Sequence, residues 1–218
     1  GKITANAATT VEVDGVKGLG AYVENGGSIS NNFDIKVKSA EGIGMYAKGG
    51  ALASVAKVSE LKGNKSIGYV FENITNAINM PNSVQLTDTN ATGQVGVAVK
   101  GTGAGLTVAG VSVVGSKNIG IYNETTGAVT NNGALNVADS TSTGNATIGK
   151  NSVGIYGKDA GAKLSGDMTV DEKGIGLYVD NDTTKPTVNT EITGKLEVGN
   201  NGTIGIQATN SNIKLGGD

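Results

Sequence analysis

A four-residue phrase recurs along the chain and constrains its fold more than any other feature: an apolar residue, glycine, a second apolar residue and usually tyrosine. Five copies keep the tyrosine, at residues 19–22, 43–46, 119–122, 153–156 and 175–178, and degenerate copies occur at 67–70, 95–98 and 204–207. The central glycines fall at 20, 44, 68, 96, 120, 154, 176 and 205, at intervals of 24, 24, 28, 24, 34, 22 and 29. A period near 24 with irregular insertions is typical of a solenoid in which each repeat makes one coil.

Each phrase is followed by a turn rich in Gly and Asn and then by two short segments in which apolar and polar residues alternate. This alternation predicts three short β-strands in each coil. The third strand predicts two inward apolar columns, Val11/Ile35/Val84/Val111/Leu135/Met168/Leu196 and Val13/Val37/Leu86/Val113/Val137/Val170/Val198. The second repeat is irregular at residues 55–58, which predicts a β-bulge there.

Within the phrase itself, the same alternation predicts that the first and third residues point inward. Glycine and tyrosine would then face outward, with each tyrosine ring lying across the glycine backbone. The result would be an external tyrosine column at residues 22, 46, 122, 156 and 178. Such rings could contact a carbohydrate or protein receptor, or they could only shield the backbone.

The composition favours strands over helices, because 36 glycines and many β-branched residues accompany only 4% aromatic residues. We therefore predict an all-β fold, a parallel β-helix of about eight to nine coils with loop insertions, as one unit over residues 1–218. The sequence begins and ends within a recognisable repeat and shows no signal-peptide pattern or run of 18 apolar residues. We interpret it as a fragment of a longer protein.

The residue types present argue against catalysis and against nucleic-acid binding. The chain has no histidine, cysteine or arginine, so a base, a thiol nucleophile and a guanidinium clamp are all missing. Some β-helices hydrolyse polysaccharides with paired carboxylates, but the outward columns show no stacked acids. The net charge of −2 provides no basic surface for phosphates. We expect no catalytic residues.

Metal binding has one weak candidate. Residues 180–182 read Asp-Asn-Asp but lack the later glycine and glutamate of an EF-hand loop. We therefore interpret them as a solvated turn. We expect no metal and no cofactor.

Insertions into a regular solenoid are where function is expected, because the coils mainly display them. The three long intervals point to residues 71–82, 137–151 and 180–190. The first contains Phe71, Ile74, Ile78 and Met80, which could contact a receptor, form a short helix or pack against the coils. The candidate receptor-contact residues are these four with Tyr122, Tyr156 and Tyr178.

The phrases at 174–178, Gly-Ile-Gly-Leu-Tyr, and at 152–156, Ser-Val-Gly-Ile-Tyr, each with an Asn-Asn or Asn-Gly turn and a Leu-x-Val strand, resemble known repeats. They resemble the passenger repeats of large type V (Va) autotransporter adhesins, particularly those of fusobacteria. The lack of Arg, His, Cys and Trp, with heavy Lys and Asn usage, is similar to proteins of such low-GC genomes. The resemblance covers the whole chain.

This resemblance implies a right-handed β-helical passenger on the bacterial cell surface, exported through an outer-membrane β-barrel translocator that lies outside this sequence. It implies a monomeric adhesin that attaches to host cells or to partner bacteria through protein or glycan receptors. A purely structural stalk that displays a distal binding domain fits the same repeats. A trimeric autotransporter head fits less well, since its repeat is nearer 14 residues. A polysaccharide-acting enzyme is the remaining alternative.

Overall fold

The fold was analysed in a computed structural model, which describes residues 1–30, 32–80, 82–102, 105–125, 129–131, 135–137, 152–170, 173–199 and 203–216. The regular structure in these ranges is entirely β-strand. The strands are β1 (Lys2–Ile3), β2 (Thr9–Val13), β3 (Leu19–Glu24), β4 (Ser28–Ile29), β5 (Phe33–Val37), β6 (Ile43–Gly50), β7 (Lys57–Leu61), β8 (Ile67–Ile74), β9 (Ile78–Met80), β10 (Val84–Leu86), β11 (Val95–Gly101), β12 (Leu106–Val108), β13 (Val111–Val113), β14 (Ile119–Thr125), β15 (Val129–Asn131), β16 (Leu135–Val137), β17 (Val153–Lys158), β18 (Ala162–Leu164), β19 (Met168–Val170), β20 (Ile175–Asp180), β21 (Val188–Ile192), β22 (Leu196–Val198), β23 (Ile204–Thr209) and β24 (Ser211–Leu215).

Strands one repeat apart pair in parallel, so the chain stacks on itself as a β-solenoid of about seven turns. The first face is an eight-stranded sheet of the glycine phrases, in the order β3-β6-β8-β11-β14-β17-β20-β23. The second face contains β9-β12-β15-β18-β21-β24, and the third contains β10-β13-β16-β19-β22 and, separately, β2-β5-β7. The predicted all-β parallel solenoid is confirmed. No helix long and apolar enough to span a membrane occurs in the described ranges.

The third face has the register that the sequence predicted. Val84 pairs with Val111 and Leu86 with Val113, and β16, β19 and β22 continue both columns. Most members whose side chains are described are fully buried, including Ile35, Leu86 and Met168. These stacked aliphatic side chains form the core, and burial of each contributes about 1.5–3 kcal/mol.

The predicted irregularity of the second repeat is present, slightly later than expected. The register of β5 against β7 shifts between Ile35, opposite Val58, and Lys36, opposite Glu60. Ser59 is therefore the extra residue of a bulge. The bulge begins at the last residue of the predicted 55–58 segment.

The glycine phrase differs from the prediction at two of its four positions. The third residue is buried, with Met45, Ile121 and Leu177 fully so, as expected. The first residue is mostly only half-buried, and Leu19 is 44% exposed. The expectation that first and third residues both line the interior is thus wrong for the first residue.

Glycine faces the interior rather than solvent. A Cβ on Gly20 would lie 2.7 Å from Ile35 Cγ2, a buried side chain of the third face. Alternation breaks here because two successive residues, glycine and the third residue, both adjoin the core. The predicted outward glycine covered by a tyrosine ring is therefore wrong, and the glycine provides room for third-face side chains.

A column of buried polar side chains lies one residue before the glycine phrase. Its members Ser66, Gln94, Asn118 and Ser152 are 0 to 1% exposed. Gln94 Nε2 donates to Leu61 O, Gly63 O and Ser66 Oγ, and Asn118 Oδ1 accepts from the Gln94 backbone N–H at 2.8 Å. Asn118 N–H donates in turn to Ser152 Oγ. These bonds satisfy carbonyls at a corner that strand pairing cannot reach.

Candidate functional site

The outer surface of the eight-stranded sheet carries the predicted tyrosine column, in two parts. Tyr22 and Tyr46 meet edge to face with centroids 5.5 Å apart. Tyr122 and Tyr156 do the same at 5.3 Å, and Tyr156 stacks on Tyr178 at 4.9 Å and 10° between planes. Tyr122, Tyr156 and Tyr178 are half-buried. The rings pack on one another along the stack and leave part of each surface accessible.

A column of charged residues stands two positions after the tyrosines, on the same face of the sheet. Its signs alternate from coil to coil: Glu24, Lys48, Glu72, Lys100, Glu124, Lys158 and Asp180. Strand pairing places successive members side by side, with Lys48 Nζ 3.2 Å from Glu72 and Lys158 Nζ 3.0 Å from Glu124. Opposite charges in register favour this alignment of coils over a slipped one. A comparison of the residue two positions after the tyrosine position in each repeat would have revealed this alternation of charge in the sequence.

Tyrosine hydroxyls connect the two columns. Tyr22 donates to Glu24 at 2.8 Å and Tyr122 donates to Glu124 at 2.9 Å. The Lys158 ammonium, and then the Tyr122 hydroxyl, lower the pKa of Glu124. Burial, and then the Glu124 carboxylate, raise the pKa of Tyr122. The carboxylate is therefore charged and the phenol neutral over the physiological range.

The predicted 180–190 insertion forms one wall of a cavity at the carboxyl ends of these strands. Its chain turns back along the stack, since Asp182 N–H donates to Asp159 Oδ1 at 2.8 Å and Lys185 pairs with the same carboxylate. Asn181 is buried and its amide donates to Pro186 O and Asn210 O. These contacts hold the insertion over the preceding coil.

The cavity has a volume of about 830 Å³, within the range of small-ligand sites. Its floor comes from the ends of β14, β17 and β20, and its wall from residues 181–188. The charged lining comprises Glu124, Asp159, Asp180 and Asp182, with Lys158 and Lys185. Four carboxylates against two ammonium groups leave a formal excess of two negative charges. Three residues of the tyrosine column lie next to the cavity without lining it, because each stands two residues before a charged lining residue: Tyr122 before Glu124, Tyr156 before Lys158 and Tyr178 before Asp180.

Four of the candidate receptor-contact residues are inside the solenoid. Phe71 is 0% exposed, Ile74 and Ile78 are 3% and Met80 is 6%. Phe71 stacks between Ala47 and Val99, and Ile78 and Met80 pair with Leu106 and Val108 on the second face. The segment consists mainly of two strands, β8 and β9, so its apolar residues pack in the core. A receptor cannot contact them in the folded chain, and the packing alternative is the one observed.

The three tyrosine candidates lie on the outer surface, unlike the four apolar ones. Tyr156 and Tyr178 stack together beside the cavity, with Tyr122 next in the column. Most of the predicted 137–151 insertion, residues 138–151, lies outside the described residues. Sequence reasoning missed the cavity because its walls depend on how the insertion folds back, through Asp159 and Lys185, and no local pattern encodes that contact.

The cavity and its surroundings present charged and aromatic side chains to a ligand. Within the ranges that the structure describes, no group of three acidic, histidine or cysteine side chains could hold a metal ion. The carboxylates of the cavity are mostly engaged, and hydrogen bonds from Asp182 N–H and then Lys185 lower the pKa of Asp159. Ionised, paired carboxylates beside aromatic rings offer hydrogen bonds and a stacking surface to a ligand.

Comparisons of the chain with protein-family models, with curated proteins and with solved structures each gave no match. The function is accordingly argued from the geometry of this site.

Proposed function

We propose that this chain is a non-catalytic segment of a bacterial surface adhesin, which attaches the cell to host cells or to partner bacteria. One observation carries the proposal: a regular solenoid bears an insertion that forms one wall of an open cavity, next to a stacked tyrosine column. Regular coils need no such cavity for stability, whereas displayed insertions are where solenoids bind partners.

The remaining parts of the proposal follow from the resemblance of the repeats to autotransporter passengers. The chain is a monomeric, right-handed coil at the cell surface, and its export requires an outer-membrane β-barrel translocator. Right-handed crossovers are strongly preferred between parallel strands, which supports this hand. The receptor is a surface protein or glycan of the contacted cell.

Attachment of the labelled, purified protein to epithelial cells and to partner bacteria tests the adhesin proposal. We expect saturable attachment that the double substitution Tyr156→Ser and Tyr178→Ser reduces at least about tenfold, since aromatic side chains dominate binding energy at interfaces. The matched control is Tyr22→Ser with Tyr46→Ser, which removes rings from the same column far from the cavity. Equal loss in both variants, or attachment unaffected by either, contradicts the proposed site.

A structural stalk is the second candidate function. The charged column and the buried polar column favour it, because both specify coil alignment and neither needs a ligand. Absence of attachment to every cell type, with a folded protein, would favour the stalk.

A further inference from the structure

The charged column leaves its last member, Asp180, without a lysine partner. Its neighbour on one side is Lys158, whose ammonium pairs with Glu124 on the far side at 3.0 Å. Its neighbour on the other side is Thr209, where the alternation would place a lysine. No ion pair joins Asp180 to any lysine of the described ranges.

The side chain of Asp180 also differs from the other acids of the column. Glu24 and Glu124 accept a hydrogen bond from the tyrosine two residues earlier. Aspartate is one methylene shorter, and no such bond joins Tyr178 to Asp180 among the described contacts. Asp180 is half-buried and lines the cavity.

The adjacent rings suit a cation. Tyr156 and Tyr178 stack in parallel with centroids 4.9 Å apart, so Tyr156 covers one face of the Tyr178 ring, and the other face is on the side of Gln207 in the next coil. Ring faces attract ammonium and guanidinium groups within about 6 Å. The same column already binds a cation of this chain, because Lys100 Nζ lies 5.9 Å from the Tyr122 ring centroid. The Tyr156–Tyr178 pair has no such lysine in the described structure. The cavity as a whole carries the excess negative charge noted above.

We propose that Asp180 and the outer face of Tyr178, which is supported from behind by the stacked Tyr156 ring, bind a lysine or arginine side chain from a polypeptide of the contacted cell. The cation of the partner occupies the position that a lysine of the next coil would fill if the charged column continued. This inference rests on the proposed adhesin function and names the chemistry of its partner. A protein ligand is favoured over a neutral glycan because the missing element of the site is a positive charge.

Titration of the ¹⁵N-labelled protein with a capped pentalysine peptide at physiological salt tests the inference. We expect amide signals of residues 156, 178 and 180 to shift, and the peptide with all lysines acetylated to leave them unchanged. Asp180→Asn, nearly isosteric, should weaken binding about tenfold, as expected for loss of a charge-assisted contact. Asp14→Asn, at an exposed acid on another part of the solenoid, is the matched control.

Three results would overturn the inference: unchanged pentalysine affinity in Asp180→Asn, equal loss in Asp14→Asn, or binding of the acetylated peptide. Shifts of the same signals by maltotriose, with none by pentalysine, would replace the protein partner by a glycan. Thermal melting by circular dichroism confirms that each variant is folded. Peptide binding without attachment to any cell would instead refute the adhesin function and leave the cation pocket in place.

Discussion

At the scale of single residues, the glycine column sets how closely successive coils and faces approach. A Cβ on Gly44 or Gly68 would lie 2.6 Å from the carbonyl oxygen of the next glycine in the stack. At six of the eight phrase glycines, Gly20, Gly44, Gly68, Gly96, Gly120 and Gly176, the backbone of the next coil occupies this space, so no side-chain rotation can relieve that contact. Glycine is therefore required by packing at these positions, independently of its backbone freedom.

Replacement of Gly120 by alanine should destabilise the fold by about 2–4 kcal/mol, as overpacking against backbone does. The added Cβ would lie 2.5 Å from both Gly154 O and Val111 Cγ1. Urea unfolding followed by circular dichroism measures the change. Gly15→Ala, where nothing lies within 4 Å, should alter stability by less than about 0.5 kcal/mol. Equal effects of the two substitutions would contradict the inward glycine.

Tyr69 makes the solenoid sensitive to alkaline pH. Its side chain is buried at the third position of a degenerate phrase, and burial raises its pKa from 10.0 to about 12. The raised pKa means that the folded state holds the proton more tightly than the unfolded state. The stabilisation is therefore complete below pH 10 and declines as the pH rises through 12. We expect the melting temperature to fall across this window.

The variant Tyr69→Phe isolates this contribution. It removes the oxygen that accepts the Val58 backbone N–H at 2.6 Å, so the variant should be less stable at pH 8 by about 1–3 kcal/mol. Its stability should fall less steeply than that of the wild type between pH 10 and 12, because the variant lacks the Tyr69 phenol and only the other tyrosines still titrate. Parallel pH profiles of wild type and variant would show that Tyr69 does not ionise with a raised pKa.

At the scale of strands, the third face was predictable and the first face only partly so. Strict alternation of large apolar and polar residues in β10, β13 and β19 indicates which side is buried, and the register follows. The glycine phrase contains no side chain at its second position, so alternation there is ambiguous. The glycine and the third residue of the phrase both face the core. The first residue is therefore only half-buried, although alternation counted from the third residue had predicted that it points inward.

Two other elements were hidden from sequence reasoning for physical reasons. The buried polar column uses Ser66, Gln94, Asn118 and Ser152, four residues of three types, in a turn where polar residues normally indicate solvent. Residues 71–82 appeared to contain an insertion because the interval from Gly68 to Gly96 is 28 residues, longer than the basic 24. β8 is no longer than β6, with eight residues in each, and β9 follows it as an ordinary strand of the second face. Most of the additional residues lie between β10 and β11, where residues 87–94 replace the five residues 114–118 that join β13 to β14.

Aspartate substitutions at the first and third residues of one glycine phrase test the revised orientation of the first face. Ile121→Asp places a carboxylate at a fully buried site and should cost more than about 4 kcal/mol, enough to abolish the cooperative melt. Ile119→Asp, on the same strand at a half-buried site, should cost only about 1–2 kcal/mol. Thermal melts by circular dichroism compare the two, and a more severe effect at Ile119 would reverse the assignment.

At the scale of the whole molecule, stability comes from contacts between neighbouring coils, as expected for a stacked solenoid. Strand pairing is continuous across the longest interval: β14 pairs with β17, and β16 pairs with β19. The coil on each side of that interval therefore has its partners in place through strands outside residues 140–148. The 180–190 insertion likewise forms a site without disturbing the stack, because β20 and β21 on either side of it keep their partners β23 and β24.

Deletion of residues 140–148 should accordingly leave the solenoid folded. The deletion shortens the interval of 34 between Gly120 and Gly154 by nine residues to 25, close to the basic repeat of 24. The change in unfolding free energy should be within about 1 kcal/mol, because shortening the connection between two paired strands alters its closure entropy only slightly. Urea unfolding and the circular-dichroism β signal measure the outcome.

A matched deletion of 72–80, which removes strand residues of the core, should abolish folding. If the two deletions were equally damaging, residues 140–148 would belong to the coil itself, and the site beside Tyr156 and Tyr178 would need re-examination with that segment as part of its support.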